Sequence, residues 1–214
     1  MPTTNITNYL VTDTETSNFR QRDNRKTLKQ FIVQHAWGLF KPQRAFTDFE
    51  SHNYSHLQRS ISAGAERVHR ISVEDLPNDI EMDRAHFERF LIAIERSDVL
   101  VIYNKKFDLP FLFDKATEVK MFNALQALLL NKPVFDPMLI LTDIMKMPHL
   151  NKKKKYSGYK WPKQTEAYRY LMNKGFPDAH KAYGDVLALK DIVEAMDRNI
   201  LIPSTYLIRR KMQA

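Results

Sequence analysis

The sequence predicts an α/β fold with a mixed sheet, on three observations. Three extended segments follow one another in the first quarter of the chain, at 6–13, 30–40 and 45–54. A short, continuously apolar segment, "DVLVIY" at 98–103, then follows an amphipathic helix, the pattern of a strand buried on both faces. A second strongly amphipathic helix closes the pattern near the end of the chain. The order β-β-β-α-β-α with further helices describes an antiparallel meander joined to parallel strands and flanked by helices.

The elements follow in order. Residues 6–13 form a first strand, and 18–29 ("NFRQRDNRKTLK") a polar, basic connection. "QFIVQHAWGLF" is apolar on both faces, as a central strand should be, and "AFTDFESHNY" suits a more exposed third strand. Ser72 before "VEDL" is placed as a helix N-cap, and 83–96 sets Phe87, Phe90, Leu91 and Ile94 on one helical face. A helix is expected from near Pro110, "QALLLN" at 126–131 has the spacing of a buried helix, and "PVFDPMLIL" holds another extended segment. The Pro- and Lys-rich stretch 148–163 reads as a loop, with Pro162 in the first turn of a helix ending near Gly175. The last helix begins near Asp185 with Val186, Leu189, Val193, Met196 and Ile200 as its apolar stripe. Without an internal repeat or a disordered linker, 1–214 is read as one domain.

The 33 Lys and Arg outnumber the 25 Asp and Glu, and a net charge of +8 favours a polyanionic partner, nucleic acid before an anionic membrane. No apolar run approaches the roughly 20 residues that span a bilayer, and "MPTTNITNYL" lacks the features of a signal peptide, so a cytoplasmic location and no membrane partner are expected. Zero cysteines exclude disulfides, thiolate zinc sites and cysteine nucleophiles. Any metal must then be held by carboxylates and imidazoles, ligands that suit Mg²⁺ or Mn²⁺.

"YLVTDTETSNF" supplies the first such ligands. Strand side chains alternate, so Asp13 and Glu15 share a face with Thr14 turned away. Two like charges held together need a cation or a shared proton to offset their repulsion. Asp108 follows the buried strand in "NKKFDLPFLF", ahead of a helix, where it could equally be an N-cap. In "AHKAYGDVLALKDI", His180 lies on the approach to the last helix and Asp185 in its first turn, on the side that continues through Leu189 and Ile192. An inward carboxylate there requires a cation, a hydrogen-bond network or the helix dipole.

Taken in order, D-x-E on the first strand, N-x-x-F-D after the buried strand and H-x-A-x-x-D opening the last helix resemble the DEDDh, or DnaQ-like, 3′-to-5′ exonucleases. The resemblance runs from residue 9 to about 197. "IVQHAWGLF" looks like the family's second strand, and "ERVHRISVEDL" is similar to its "IHGIT-x-E" segment. The tyrosine variant of the family would need Tyr four residues before the last Asp, where this chain has Lys181. Two positions depart: Tyr103 precedes Asn104 where His is common, and Ser17 stands where Gly follows the first Thr.

The resemblance implies an RNase H-like fold and two Mg²⁺ ions per site, with Mn²⁺ as a substitute, held by Asp13, Glu15, Asp108 and Asp185. Asp13 would contact both ions, Glu15 and Asp185 the water-side ion, and Asp108 the other, with His180 as general base. The implied reaction releases nucleoside 5′-monophosphates from 3′ ends of single-stranded nucleic acid, DNA before RNA. By the same analogy Thr16, Asn104, Phe107 and Phe19 would contact substrate, Phe107 being equally suited to the core. "NKKKKYSGYKW" at 151–161 and "RQRDNRK" at 20–26 are candidate strand-binding edges. Alternatives are a polymerase-associated proofreading subunit, for which "QALLLN" faintly resembles a clamp-binding peptide, an RNA-directed exonuclease, and a module that binds nucleic acid without catalysis.

Overall fold

In the computed structural model, which describes residues 7–18, 30–55, 60–149, 158–176 and 179–203, five strands form one mixed sheet. They are β1 (Tyr9–Thr16), β2 (Ile32–Phe40), β3 (Phe46–Asn53), β4 (Val99–Ile102) and β5 (Val134–Phe135), in the spatial order β3-β2-β1-β4-β5. β2 pairs antiparallel with β1 and β3, whereas β4 pairs parallel with β1 and β5. This is the expected meander with its parallel extension.

Alternation along the strands divides the core in two. Tyr9, Val11, Ala36, Phe40, Val99 and Val101 face α5 (Pro137–Met145), α6 (Gln164–Met172) and α7 (Ala182–Arg198). Leu10, Trp37, Leu39, Leu100 and Ile102 face α2 (Ile80–Arg96), α3 (Lys105–Glu118) and α4 (Phe122–Asn131). The central strands have little polarity because both faces are covered. α7 lies across β1 and β2, with Val186, Leu189, Val193 and Met196 fully buried as their spacing predicts. Ile200 is different: it lies past the helix end, 91% exposed and with φ 56°, so the stripe stops at Met196.

Several boundaries move for identifiable reasons. β1 runs beyond residue 13 to Thr16, still paired with β2. α2 begins at Ile80, capped by the Asp79 carboxylate accepting from the N–H groups of Glu81 and Met82. α3 begins at Lys105, not near Pro110, which sits inside the helix. Segment 133–141 divides into the two residues of β5 and then α5, with Asp136 as N-cap and Pro137 in the first turn. Pro162 precedes α6, whose cap is Lys163, and that helix ends at Met172, with Asn173 in the left-handed cap conformation in place of a glycine. Ser72 opens a 3₁₀ turn (Val73–Asp75), and α1 (Ala63–His69), capped by Ser62, went without a sequence signal because a seven-residue helix is too short to show a period. Gln126–Asn131 lies in α4, with Leu128 and Leu129 partly buried and Leu130 75% exposed.

A buried polar network underlies the α2 face. Asp83, fully buried, accepts from Ser55 N at 3.0 Å, Ser55 Oγ at 2.6 Å, His52 Nε2 at 3.0 Å and Lys115 Nζ at 3.1 Å. Burial alone would raise its carboxyl, but His52, Lys115 and Ser55 outweigh that and hold it below the usual range. The His52 ring stacks on His86 at 4.9 Å, and His86 Nε2 lies 3.0 Å from Nδ1 of His35, whose Nε2 lies 2.8 Å from Thr12 Oγ1 on β1. β3 carries Asp48 and Glu50, paired with Arg96 and Arg89 of α2. Replacing Asp83 with Ala leaves the buried Lys115 ammonium only its bond to Glu118 Oε1, 2.8 Å away, and should cost about 3–5 kcal/mol. Urea unfolding measures this, and a loss below about 1 kcal/mol would show that Glu118 alone satisfies Lys115.

Candidate metal centre

The end of β1 projects beyond its parallel neighbour. β4 stops at Ile102, opposite Thr12, so Asp13 to Thr16 have a partner only in β2. Asp13 and Glu15 point to the α7 face with Tyr9 and Val11, and Thr14 points to the other. Immediately after Glu15 the register with β2 slips, from Glu15↔Gln34 to Thr16↔Ile32. Asp185, in the first turn of α7, completes the cluster: one oxygen from each of Asp13, Glu15 and Asp185 lies within 4.8 Å of the others.

Asp108 reaches the same strand end from the first turn of α3. Its Oδ1 accepts from Thr14 Oγ1 at 2.6 Å, and the Thr14 backbone N–H also stabilises the carboxylate. It stands outside the tight triad, yet its charge raises both Asp13 and Glu15. Burial pushes all four carboxyls up, and the charges of the cluster add to it at Asp13 and Glu15. Asp13 rises well above its usual value through burial, then Asp185, Asp108 and Glu15. Burial, then Asp185 and Asp108, take Glu15 to about 8. Burial takes Asp108 and Asp185 each to about 7, opposed by the Thr14 hydrogen bonds in one and by His180 N–H in the other. The all-oxygen donor set and its uncompensated negative charge fit hard divalent cations.

Each carboxylate is fixed by its surroundings. The start of α7 is tied to β2 by Gln34, whose Oε1 accepts from Ala182 N at 2.9 Å, and to α6 by Gln164, whose Nε2 donates to the Asp185 carbonyl at 2.7 Å. Asp136 accepts from Asn104 N at 3.0 Å and Lys105 N at 3.1 Å while also capping α5 through Met138 N. It thereby starts α3 early and sets where Asp108 falls. Thr14, Gln34, Gln164 and Asp136 carried no functional signal in the sequence beyond the Asp-Pro dipeptide, which marks Asp136 as a cap.

The remaining site residues lie as follows. His180 is exposed in a left-handed turn at φ 68°, and its N–H donates to Asp185 Oδ2 at 2.9 Å. Thr16 is buried and donates from Oγ1 to the Asn18 carbonyl at 3.0 Å. Asn104 caps α3 in the left-handed conformation. Phe107 packs against Phe111 at the core margin. Tyr103, where the resembled pattern has His, is buried and donates its hydroxyl to the Pro162 carbonyl at 2.8 Å, pinning the segment that carries Trp161. Trp161 stays 53% exposed with Lys106 Nζ 5.7 Å from its ring centroid. Phe19, "RQRDNRK" and Lys152 to Lys155 lie outside the described residues.

Raised carboxyl pKa values link protonation to stability: the folded state holds protons that the unfolded chain has released, so stability is greatest below about pH 4 for these groups and is lost as pH rises through about 7 to 8. In EDTA, the melting temperature should therefore fall between about pH 5 and 8, Mg²⁺ should restore it, and Asp185→Asn should melt higher than the parent at pH 8 without metal. Thermal denaturation across pH checks all three; a metal-free melting temperature that rises over that interval would contradict the repulsion.

No protein-family model and no curated protein sequence matches the chain. Its fold is similar to that of exonuclease I. One exonuclease I structure, concerned with processivity, superposes with a TM-score of 0.67 at 13% identity, over 91% of this chain and 42% of that one. The zinc-bound complex of Escherichia coli exonuclease I with single-stranded DNA gives the same values. A product-bound exonuclease I gives 0.63 at 12% identity, over 92% and 45%. This chain thus spans less than half the length of those proteins. The likeness is one of fold, and the fold is RNase H-like.

Proposed function

We propose that this chain is a metal-dependent 3′-to-5′ exonuclease of the DEDDh type, a single domain over 1–214 that releases nucleoside 5′-monophosphates from single-stranded DNA. The observation that carries the reading is the convergence of Asp13, Glu15 and Asp185 within 4.8 Å at the overhanging end of β1, with Asp108 locked to the same strand through Thr14. The preference for DNA is supported by the fold neighbour, E. coli exonuclease I, which binds single-stranded DNA.

Asp13, Glu15, Asp108 and Asp185 would hold two Mg²⁺ ions, or Mn²⁺. Bound there, the ions supply Lewis acidity towards the phosphodiester and lower the pKa of the attacking water. The protein's own part is to fix the ligands and to move a proton. His180 is next to the cluster through its backbone bond to Asp185, while its exposed ring can approach a bound strand and accept the proton of the water at an imidazole nitrogen. By the resemblance, Thr16 at the end of β1 and Asn104 at the start of α3 would contact the substrate. Trp161, held by the Tyr103 bond and left exposed beside Lys106, is suited to stack a base; such contacts are worth about 1–3 kcal/mol each and tolerate any sequence. Phe107, packed on Phe111, supports α3 at that edge.

End-labelled oligonucleotides should be shortened from the 3′ end with Mg²⁺ or Mn²⁺ and remain intact in excess EDTA. Asp13→Asn or Asp185→Asn should abolish turnover. His180→Ala should cost on the order of 10² to 10⁴ in turnover while leaving metal affinity, read by titration calorimetry, close to the parent's. Hydrolysis that survives EDTA or Asp13→Asn would remove the acidic cluster from the chemistry.

A further inference from the structure

A cavity of about 480 Å³ opens beside the acidic cluster, between the C-terminal end of α1 and the turn that leads into α7. Arg67, His69 and Arg70 line it from one side, and His180 and Lys181 from the other. Its wall is therefore cationic, whereas the neighbouring metal centre is anionic.

Two details define its wall. The first is His69, only 2% exposed. Its Nδ1 accepts from Ile71 N–H at 3.0 Å, so the neutral ring carries its proton on Nε2. That Nε2 is closed off from solvent, and the Thr16 carbonyl is the backbone acceptor beside the ring. Burial lowers the tendency of the ring to charge, opposed by that carbonyl, so a neutral ring backs the cavity and ties the end of α1 to β1.

The second is Arg70. It ends α1 in the left-handed conformation, φ 59° and ψ 29°, with its N–H bonded to Glu66 O at 2.7 Å. Glycine suits that backbone best, and glycine is what the resembled "IHGIT" pattern has there. Here a strained position holds a guanidinium, a group that matches phosphate oxygens in a planar, two-pronged manner.

We propose that this cavity is a phosphate-binding subsite for the nucleic-acid backbone, in which Arg67, Arg70 and Lys181 neutralise a non-scissile phosphate of the strand while His69 holds the end of α1 in place behind them. The proposal rests on the nuclease reading of the acidic cluster, since His180 joins the two. It adds a grip on the polymer that a free mononucleotide does not use.

The test uses Arg70→Gly, which relaxes the backbone and so retains the fold, together with Arg67→Ala. The probe is a short oligothymidylate whose 3′-terminal linkages are phosphorothioates, titrated by fluorescence anisotropy in Mg²⁺ over a range of salt. The subsite requires a several-fold rise in Kd for each variant and a salt slope shallower by about 0.7 per lost contact. Arg70→Gly should melt no lower than the parent, and inhibition by thymidine 5′-monophosphate should be unchanged. Parental affinity and salt slope in both variants overturn the subsite while leaving the nuclease reading in place. Weakened mononucleotide inhibition with unchanged oligonucleotide affinity assigns the cavity to product and also overturns it. A parent that binds no oligonucleotide overturns the subsite and the nuclease reading together.

Discussion

The whole arrangement depends on bringing like charges together against their repulsion. Left to themselves, Asp13, Glu15, Asp108 and Asp185 would separate or protonate; burial raises the proton affinity of all four, and the neighbouring charges raise those of Asp13 and Glu15 further. The sheet prevents separation. Asp13 and Glu15 are fixed by the pleat of β1, a strand covered by helices on both faces. Ending β4 early opens room for Asp108 to approach Thr14, while α7, packed along β1 and β2, brings in Asp185. Only small displacements are available, so cations or protons must relieve the charge.

Rigidity of this kind is built from groups outside the carboxylate cluster. Asp136 holds the start of α3 and the start of α5 with one carboxylate, Gln34 and Gln164 hold the start of α7, and His35 bonds to Thr12 just before the cluster. Such supports hold the four carboxylates in place, as the proposed metal site would require. The same logic explains Tyr103: a bulky phenol replaces a smaller ring, and its hydroxyl holds the Trp161 segment in place.

What could be read from the sequence was whatever is encoded locally. The two-residue spacing of Asp13 and Glu15, the apolar run of β4 and the helical period of Val186, Leu189, Val193 and Met196 are short-range patterns, and the pairing of the two carboxylates, the sheet and the last helix follow from them. The joining of Asp108 and Asp185 to that pair was implied only by the family resemblance of the ordered motifs. What escaped is set by distant partners. The start of α3 is fixed by Asp136, far along the chain, so Pro110 misled as a boundary. Thr14 faces away from its neighbours and looked inert, yet it holds Asp108. Ile200 kept the helical spacing but fell past the end of the element that would have buried it. The roles of the basic runs could not be compared with the fold, since Lys152 to Lys155 lie outside the described residues.

The two borders of the sheet bear on behaviour in concentrated solution. β5 is only two residues long, too short to template a further strand. β3 is longer, but it carries Asp48 and Glu50, clamped by Arg96 and Arg89, and its pairing with β2 slips between Leu39 and Phe40. Charge, brevity and local irregularity are the means by which a sheet discourages strand addition from another copy. Under the proposed function, molecules gathered on one strand would reach high local concentration, and blunted borders would keep such crowding from seeding cross-β association.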